Sequence, residues 1–287
     1  MSVERRVALV TGASRGIGRA AAIALAQRGL DVAITARTVR EGDGVDESVS
    51  GDGARITGSL ETTAREIESA GGRALLIRAD LLERASLLGA VERVLDEWGQ
   101  VNVLVNNAVH TGPGSMERFL DLDIAMVEAK LEANVVAQLV MIKAVLPGML
   151  ERGEGTIIDI TSAVATSDPP APTGEGGWGL GYAVTKGAFH RVAGILAVEL
   201  GPRGIFVVNV EPGYVLTERM VSAQQRLGLA GHYPGAPPSV PGAVVAWLAG
   251  GPGAITADER TVFNGTTVSA QRFARERGLH PDWRTAR

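Results

Sequence analysis

Apolar positions along the chain alternate between two spacings. Continuous runs of strand length occur at Arg6–Val10 (RVALV), Asp31–Thr35, Ala74–Ala79, Val101–Val105, Gly155–Ile160 and Ile205–Val210, several of them rich in Val and Ile. Runs of this kind read as strands buried on both faces. Between them lie segments with helical periodicity: Ala20–Arg28, Leu60–Ala70, Ala85–Trp98, Ile124–Leu150 and Tyr182–Leu200. Within Ala85–Trp98, Leu88, Val91, Leu95 and Trp98 recur at helical spacing. Gly29, Gly71 and Gly99 follow three of these segments, and glycine just past a helix accepts the left-handed conformation that closes it. A last strand is expected over Arg260–Val268 (RTVFNGTTV).

Strand, helix, strand at this spacing is the pattern of right-handed crossovers in a parallel sheet covered on both faces. The expected architecture is α/β: a doubly wound, Rossmann-like parallel sheet, with residues 1–287 as a single domain. Three stretches interrupt the rhythm. Thr38–Ser59 is polar, Gly-rich and longer than an ordinary connection, as a mobile insertion would be. Thr166–Gly181 and Gly213–Pro241 are Gly/Pro-rich and follow strand ends, where open α/β sheets bind ligands. Their apolar character hints at a bulky, uncharged or weakly polar substrate, with Trp178 either a pocket wall or a cover for a hydrophobic edge. Ser269–Arg287 reads as a basic tail.

Composition narrows the function. The chain is 45% hydrophobic and 21% charged with a formal net charge of −4, which argues against nucleic acid or an anionic membrane as partner. It has no cysteine, so disulfide and thiolate chemistry are excluded. No run approaches 18 uninterrupted apolar residues, and the first residues, MSVERRVALVTG, lack the pattern of a signal peptide. A cytoplasmic location without membrane association is the expectation. His110, His190, His232 and His280 are scattered, and no ligand spacing suggests a metal.

The first strand runs straight into TGASRGIG, placing Gly12, Gly16 and Gly18 at GxxxGxG spacing. Glycine there permits a tight turn and close approach of a pyrophosphate, and the following helix offers its positive end to the anion. With 37 glycines in 287 residues, such spacing arises by chance about 0.6 times, so the position between strand and helix carries the inference. At the second strand's end stands Thr35-Ala36-Arg37, without the carboxylate that would hydrogen-bond a ribose diol. Arg37 and Arg15 together suit a 2′-phosphate; the alternative is that both are solvated surface arginines.

Tyr182 and Lys186 lie four apart at the start of a long helix, on one face. With three Tyr and three Lys in the chain, a chance YxxxK is expected about 0.03 times. An ammonium near a phenol favours the phenolate and makes it usable as a base. A surface pair along a helix is the alternative. Ser162 could equally be a strand-end hydroxyl, Asn134 a mid-helix residue bonded to backbone, and Asp80 a helix N-cap.

Taken together, TGASRGIG, Asp80 in RADLL, VLVNNA (Val103–Ala108), Asn134 in EANVV, Ser162 in IDITSA, Tyr182, Lys186 and Pro212-Gly213 with Thr217 resemble the short-chain dehydrogenase/reductase family, NADP type. The resemblance covers about Val7 to Thr217 and continues less clearly to Val268. It implies a catalytic tetrad of Asn134, Ser162, Tyr182 and Lys186. It also implies NADP(H) held by Gly12, Ser14, Arg15, Gly16, Ile17, Gly18, Arg37, Asp80, Leu81, Asn107, Ala108, Tyr182, Lys186, Pro212, Gly213, Val215 and Thr217. By that resemblance Tyr182 moves the proton, Lys186 lowers its pKa and binds the nicotinamide ribose, Ser162 polarises the substrate oxygen, and Asn134 positions a water. The expected reaction interconverts a small-molecule carbonyl and an alcohol, in a homodimer or homotetramer that packs the two long helices across subunits. Two other functions compete: a non-catalytic cofactor-binding regulator or scaffold, and epimerisation or dehydration of a sugar nucleotide. The sequence departs from the family where Val109 follows Asn106-Asn107-Ala108, a position that is usually glycine.

Overall fold

The computed structural model describes residues 5–47, 53–226 and 228–280. From β1 (Val7–Thr11) the chain passes through α1 (Gly16–Gln27) to β2 (Asp31–Ala36), then a two-stranded antiparallel ribbon, β3 (Val45–Asp46) with β4 (Ala54–Arg55). α2 (Leu60–Ser69), β5 (Ala74–Arg78), α3 (Arg84–Trp98) and β6 (Val103–Asn106) follow. α4 (Ile124–Leu131), a π-helical turn (Glu132–Val136) and α5 (Ala137–Arg152) form one helical run. Then come β7 (Gly155–Ile160), α6 (Leu180–Leu200), β8 (Ile205–Glu211), α7 (Glu218–Arg226), α8 (Ser239–Leu248), α9 (Ala257–Phe263), β9 (Thr267–Ser269) and α10 (Ala270–Glu276). Seven strands pair in the order β5-β2-β1-β6-β7-β8-β9, every pairing parallel.

Alternate side chains of each strand enter opposite cores, which explains why the strands are apolar throughout rather than alternating. Ala8, Val10, Val32, Ile34, Val103 and Val105 pack with α1, α2, α8 and α10, whereas Val7, Leu9, Ala33 and Leu104 pack with α3, α5 and α6. The run Ile124–Arg152 is long and apolar enough to cross a membrane by length and composition, with mean hydropathy 1.6. Its Ala137, Met141, Ile142, Val145 and Met149 are buried in the core beside α3 and the sheet, as in the core helix of a globular domain.

Several expected boundaries move. α3 buries Leu87, Ala90, Val91 and Val94 and leaves Leu88 and Leu95 exposed; Ala90 counts as core, which turns the buried stripe by one residue. The strand expected over Arg260–Val268 begins as helix: Thr256 and Glu259 form a reciprocal capping box that starts α9, which ends at Phe263, and β9 covers only Thr267–Ser269. The stretch read as a basic tail forms α10, whose Ala270, Phe273 and Ala274 are buried, Phe273 stacking edge-on against Trp247 and Phe263; residues 281–287 lie outside the described residues. The insertion over 38–59 carries the β3–β4 ribbon, with 48–52 outside the described residues. Loop 213–241 contains α7 and the start of α8.

Candidate active site

The site begins at the turn leaving β1. Gly12 has φ +67°, and a Cβ there would meet the Ala108 Cα at 2.7 Å; one on Gly18 would meet the Asn107 Nδ2 and the Gly12 carbonyl at 2.4 Å. No side chain fits either position. Asn107 Nδ2 donates to the carbonyls of Thr11 (2.8 Å) and Gly12 (3.2 Å), while the Thr11 hydroxyl accepts from the amides of Asn107 and Ala108. The exit of β6 thereby holds the glycine turn from below.

Above these strand ends one cleft is bordered by Gly12, Ser14, Arg15, Gly16, Ile17, Arg37, Asp80, Leu81, Asn107, Ala108, Tyr182, Lys186, Pro212 and Thr217, all expected from the sequence. Gly18, Asn134, Ser162, Gly213 and Val215 do not border it. Gly18 packs beneath Asn107, Gly213 turns at φ +70° against Gln271, and the Val215 side chain is buried in the core. Residues not expected there also border the cleft, among them Val45, His110 and Arg219.

At one end stand the two arginines, both already engaged. Arg37 Nη1 lies 2.6 Å from Glu47 Oε1. Arg15 donates to the carbonyls of Thr57 (2.9 Å) and Gly58 (2.8 Å). β3 is fastened by Asp46, whose buried carboxylate lies 3.6 Å from Arg219 and 3.3 Å from Arg226, both on α7. The first turn of α7 also reaches the glycine turn: Glu218 Oε2 accepts the Gly16 amide at 2.8 Å, at the α1 N-terminus, where the helix dipole favours an anion. Asp80 is not an N-cap, because α3 starts at Arg84; its Oδ1 accepts the Leu82 amide at 3.0 Å in a short turn.

At the other end lies Tyr182, in the first turn of α6. Desolvation pushes its phenol pKa up, while the Ser162 hydroxyl and the Arg219 guanidinium pull it down. Lys186 is buried, and its Nζ donates to the Ile160 carbonyl (2.8 Å) and lies 6.0 Å from the Tyr182 ring centre. Burial brings the Lys186 pKa down to about 8 against the opposing pull of the Asp159 carboxylate. Burial likewise lifts Asp159 to about 7, countered by a hydrogen bond from Asn106 Nδ2 (2.9 Å).

Asn134 sits in the π-turn, where the ladder widens by one residue, a feature frequent at functional sites. Its Oδ1 accepts the His110 amide at 2.7 Å and its Nδ2 faces the Thr185 hydroxyl at 3.4 Å. One turn earlier Lys130, wholly buried, donates to the Gly112 carbonyl at 2.7 Å. These two side chains fix the segment after Val109 and bring His110 to the cleft. Loop 166–181 closes on the same segment: Gly179 N donates to Ser115 O (3.0 Å) and Thr173 Oγ1 to Met116 O (2.8 Å). Among the described residues no three His, Asp or Glu side chains gather as a metal site.

The arrangement offers a glycine turn and two arginines at one end of a cleft and, at the other, a half-buried phenol beside a buried ammonium. A family model described as short chain dehydrogenase matches residues 6–59 and 53–227. L-rhamnose 1-dehydrogenase (NAD(P)(+)) of Sphingomonas sp. (strain SKA58) is 33% identical over 75% of this chain and 75% of its own. The crystal structure of a 3-oxoacyl-acyl-carrier-protein reductase from Brucella melitensis in complex with NAD superposes with TM-score 0.71 at 29% identity, over 94% of this chain and 96% of that one. A metagenomic short-chain oxidoreductase in complex with NADP gives TM-score 0.67 at 26% identity, over 92% and 96%.

Proposed function

This chain belongs to the short-chain dehydrogenase family, and from that premise we propose that it is an NADP(H)-dependent oxidoreductase interconverting a ketone or aldehyde with an alcohol, Tyr182 being its general acid/base. The observation carrying this reading is the half-buried Tyr182 phenol on the same cleft as the glycine turn, with the Ser162 hydroxyl among the groups that lower its pKa and the buried Lys186 one helical turn away.

The cleft fits a dinucleotide: its floor is a glycine turn packed so closely on Asn107 and Ala108 that backbone alone faces a ligand there, and cations and helix-terminal amides border it. When bound, the nicotinamide cofactor supplies or accepts the hydride. Ile17 would offer its amide to the diphosphate, with the Gly16 amide joining once it exchanges Glu218 for the phosphate, and Arg15 and Arg37 would offer charge to a 2′-phosphate. Asp80 and Leu81 would border the adenine, and the segment Pro212–Thr217 the carboxamide. In reduction Tyr182 donates its proton to the carbonyl oxygen; in oxidation the phenolate takes the alcohol proton. Ser162 donates a hydrogen bond to the oxygen on which charge develops. Lys186 favours the phenolate, and Asn134 keeps the His110 segment in place beside the pair. The substrate is a small molecule bearing a carbonyl or alcohol carbon, and a cytoplasmic setting suits a cysteine-free chain.

A Tyr182→Phe variant is expected to lose about 10²–10⁴-fold in turnover with nearly unchanged nucleotide affinity. Ketones and alcohols screened spectrophotometrically against NADPH and NADP supply the assay. Full turnover by the variant would remove Tyr182 from the mechanism, while nucleotide binding without turnover of any substrate by the parent would favour a non-catalytic scaffold.

A further inference from the structure

The exit of β2 faces the adenosine ribose in doubly wound folds. A carboxylate there accepts from the two hydroxyls of an unphosphorylated ribose, whereas a guanidinium grips a 2′-phosphate. Here the guanidinium comes from β2 and a carboxylate reaches it from elsewhere. Glu47 follows β3, ten residues after Arg37, and its Oε1 lies 2.6 Å from Arg37 Nη1. Asp46, the preceding residue, is clamped between Arg219 and Arg226, and Val45 borders the cleft, so β3 is fixed beside the β2 exit. Arg37 and Glu47 are 41% and 39% exposed, open enough for a nucleotide to meet either. The second arginine is spoken for too, since Arg15 is bonded to carbonyls at Thr57 and Gly58 of the same insertion.

We propose that Glu47 is a cofactor-specificity residue: it competes with the 2′-phosphate for Arg37 and accepts from the ribose hydroxyls of the unphosphorylated nucleotide, so that the chain takes NAD(H) as well as NADP(H). A 2′-phosphate must displace Glu47 from Arg37 and then tolerates a like charge nearby. A ribose diol leaves the ion pair intact and gains an acceptor. This rests on the reading of the cleft as a nicotinamide-dinucleotide site.

The test needs no substrate. Dissociation constants of NADPH and NADH are measured by fluorescence titration for the parent, Glu47→Gln, Arg37→Met and the double variant, with unfolding midpoints recorded alongside. Glu47→Gln is expected to tighten NADPH about fivefold, the scale of a half-exposed ion pair, and to weaken NADH. The gain for NADPH should vanish in the Arg37→Met background, because the two residues act through one contact. An unchanged NADPH-to-NADH ratio, or the same gain without Arg37, overturns the role of Glu47 while leaving the cofactor site standing. Failure of the parent to bind either nucleotide overturns the cofactor reading and the proposal with it.

Discussion

Ionisation of Tyr182 and Lys186 depends on opposing influences at the cleft. Burial resists ionisation of the phenol, and Ser162 and Arg219 oppose that resistance; Lys186 is itself weakened as a cation by burial and supported by Asp159. Because the Lys186 pKa has come down to about 8, a rate that needs its ammonium should fall as pH rises through that value. Removing the carboxylate that supports the charge, by Asp159→Asn, should move this limb of kcat/KM to lower pH; an unmoved limb would separate Asp159 from Lys186. The sign for stability is independent of activity. Asp159 has its folded pKa raised to about 7, so protonation favours the fold, and that contribution is lost as pH rises from the ordinary carboxylate range through 7. Thermal unfolding should therefore show Asp159→Asn gaining on the parent as pH rises from about 4 to 7, with no further gain above that. For the nucleotide, Arg37→Asp should shift preference from NADP towards NAD in a comparison of the two affinities, and an unchanged ratio would take Arg37 out of phosphate reading. The tyrosine, lysine, serine and glycines were legible because the family motifs lie in short, ordered segments. Glu47, Arg219, Asp159 and Lys130 were not, since each gains its meaning from a spatial neighbour: Asp46 and Arg219, for instance, lie far apart in the chain and meet only after folding.

At the level of elements, strand positions and the longer helices followed from hydrophobic period alone, while the C-terminal part did not. There a capping box outweighed an apolar run, and a segment that looked like a basic tail supplies part of the core. Phe273 of α10 lies 5.1 Å from the Trp247 ring centre and 5.5 Å from that of Phe263, with the Arg277 guanidinium 5.0 Å from its face. Phe273→Ala should cost about 3–4 kcal/mol in denaturant unfolding by opening a cavity at this three-ring contact; a loss under about 1 kcal/mol would show that α10 contributes little to the fold. The π-turn was equally invisible, because a single extra residue per turn leaves the apolar period of a long helix almost untouched. Its effect is local: Asn134 meets the backbone of His110 and the hydroxyl of Thr185 from within that turn.

For the molecule as a whole, the alternation of strands and helices with right-handed crossovers was enough to specify the doubly wound sheet. What closes over the sheet was not legible, because those loops have no period. The outer faces of the helices leave Leu139 on α5 and Val184, Ile195 and Val198 on α6 exposed, surface that a second copy would cover. Light scattering at micromolar concentration should accordingly report a dimer or tetramer, and a monomer would contradict the expectation. Within each copy, the carboxylate of Asp46 has a further consequence. It ties the ribbon, whose Val45 borders the cleft, to α7, whose Arg219 borders the same cleft. Ribbon and helix are therefore joined along the rim of one cleft, so a substitution that shifts either one shifts the other with it.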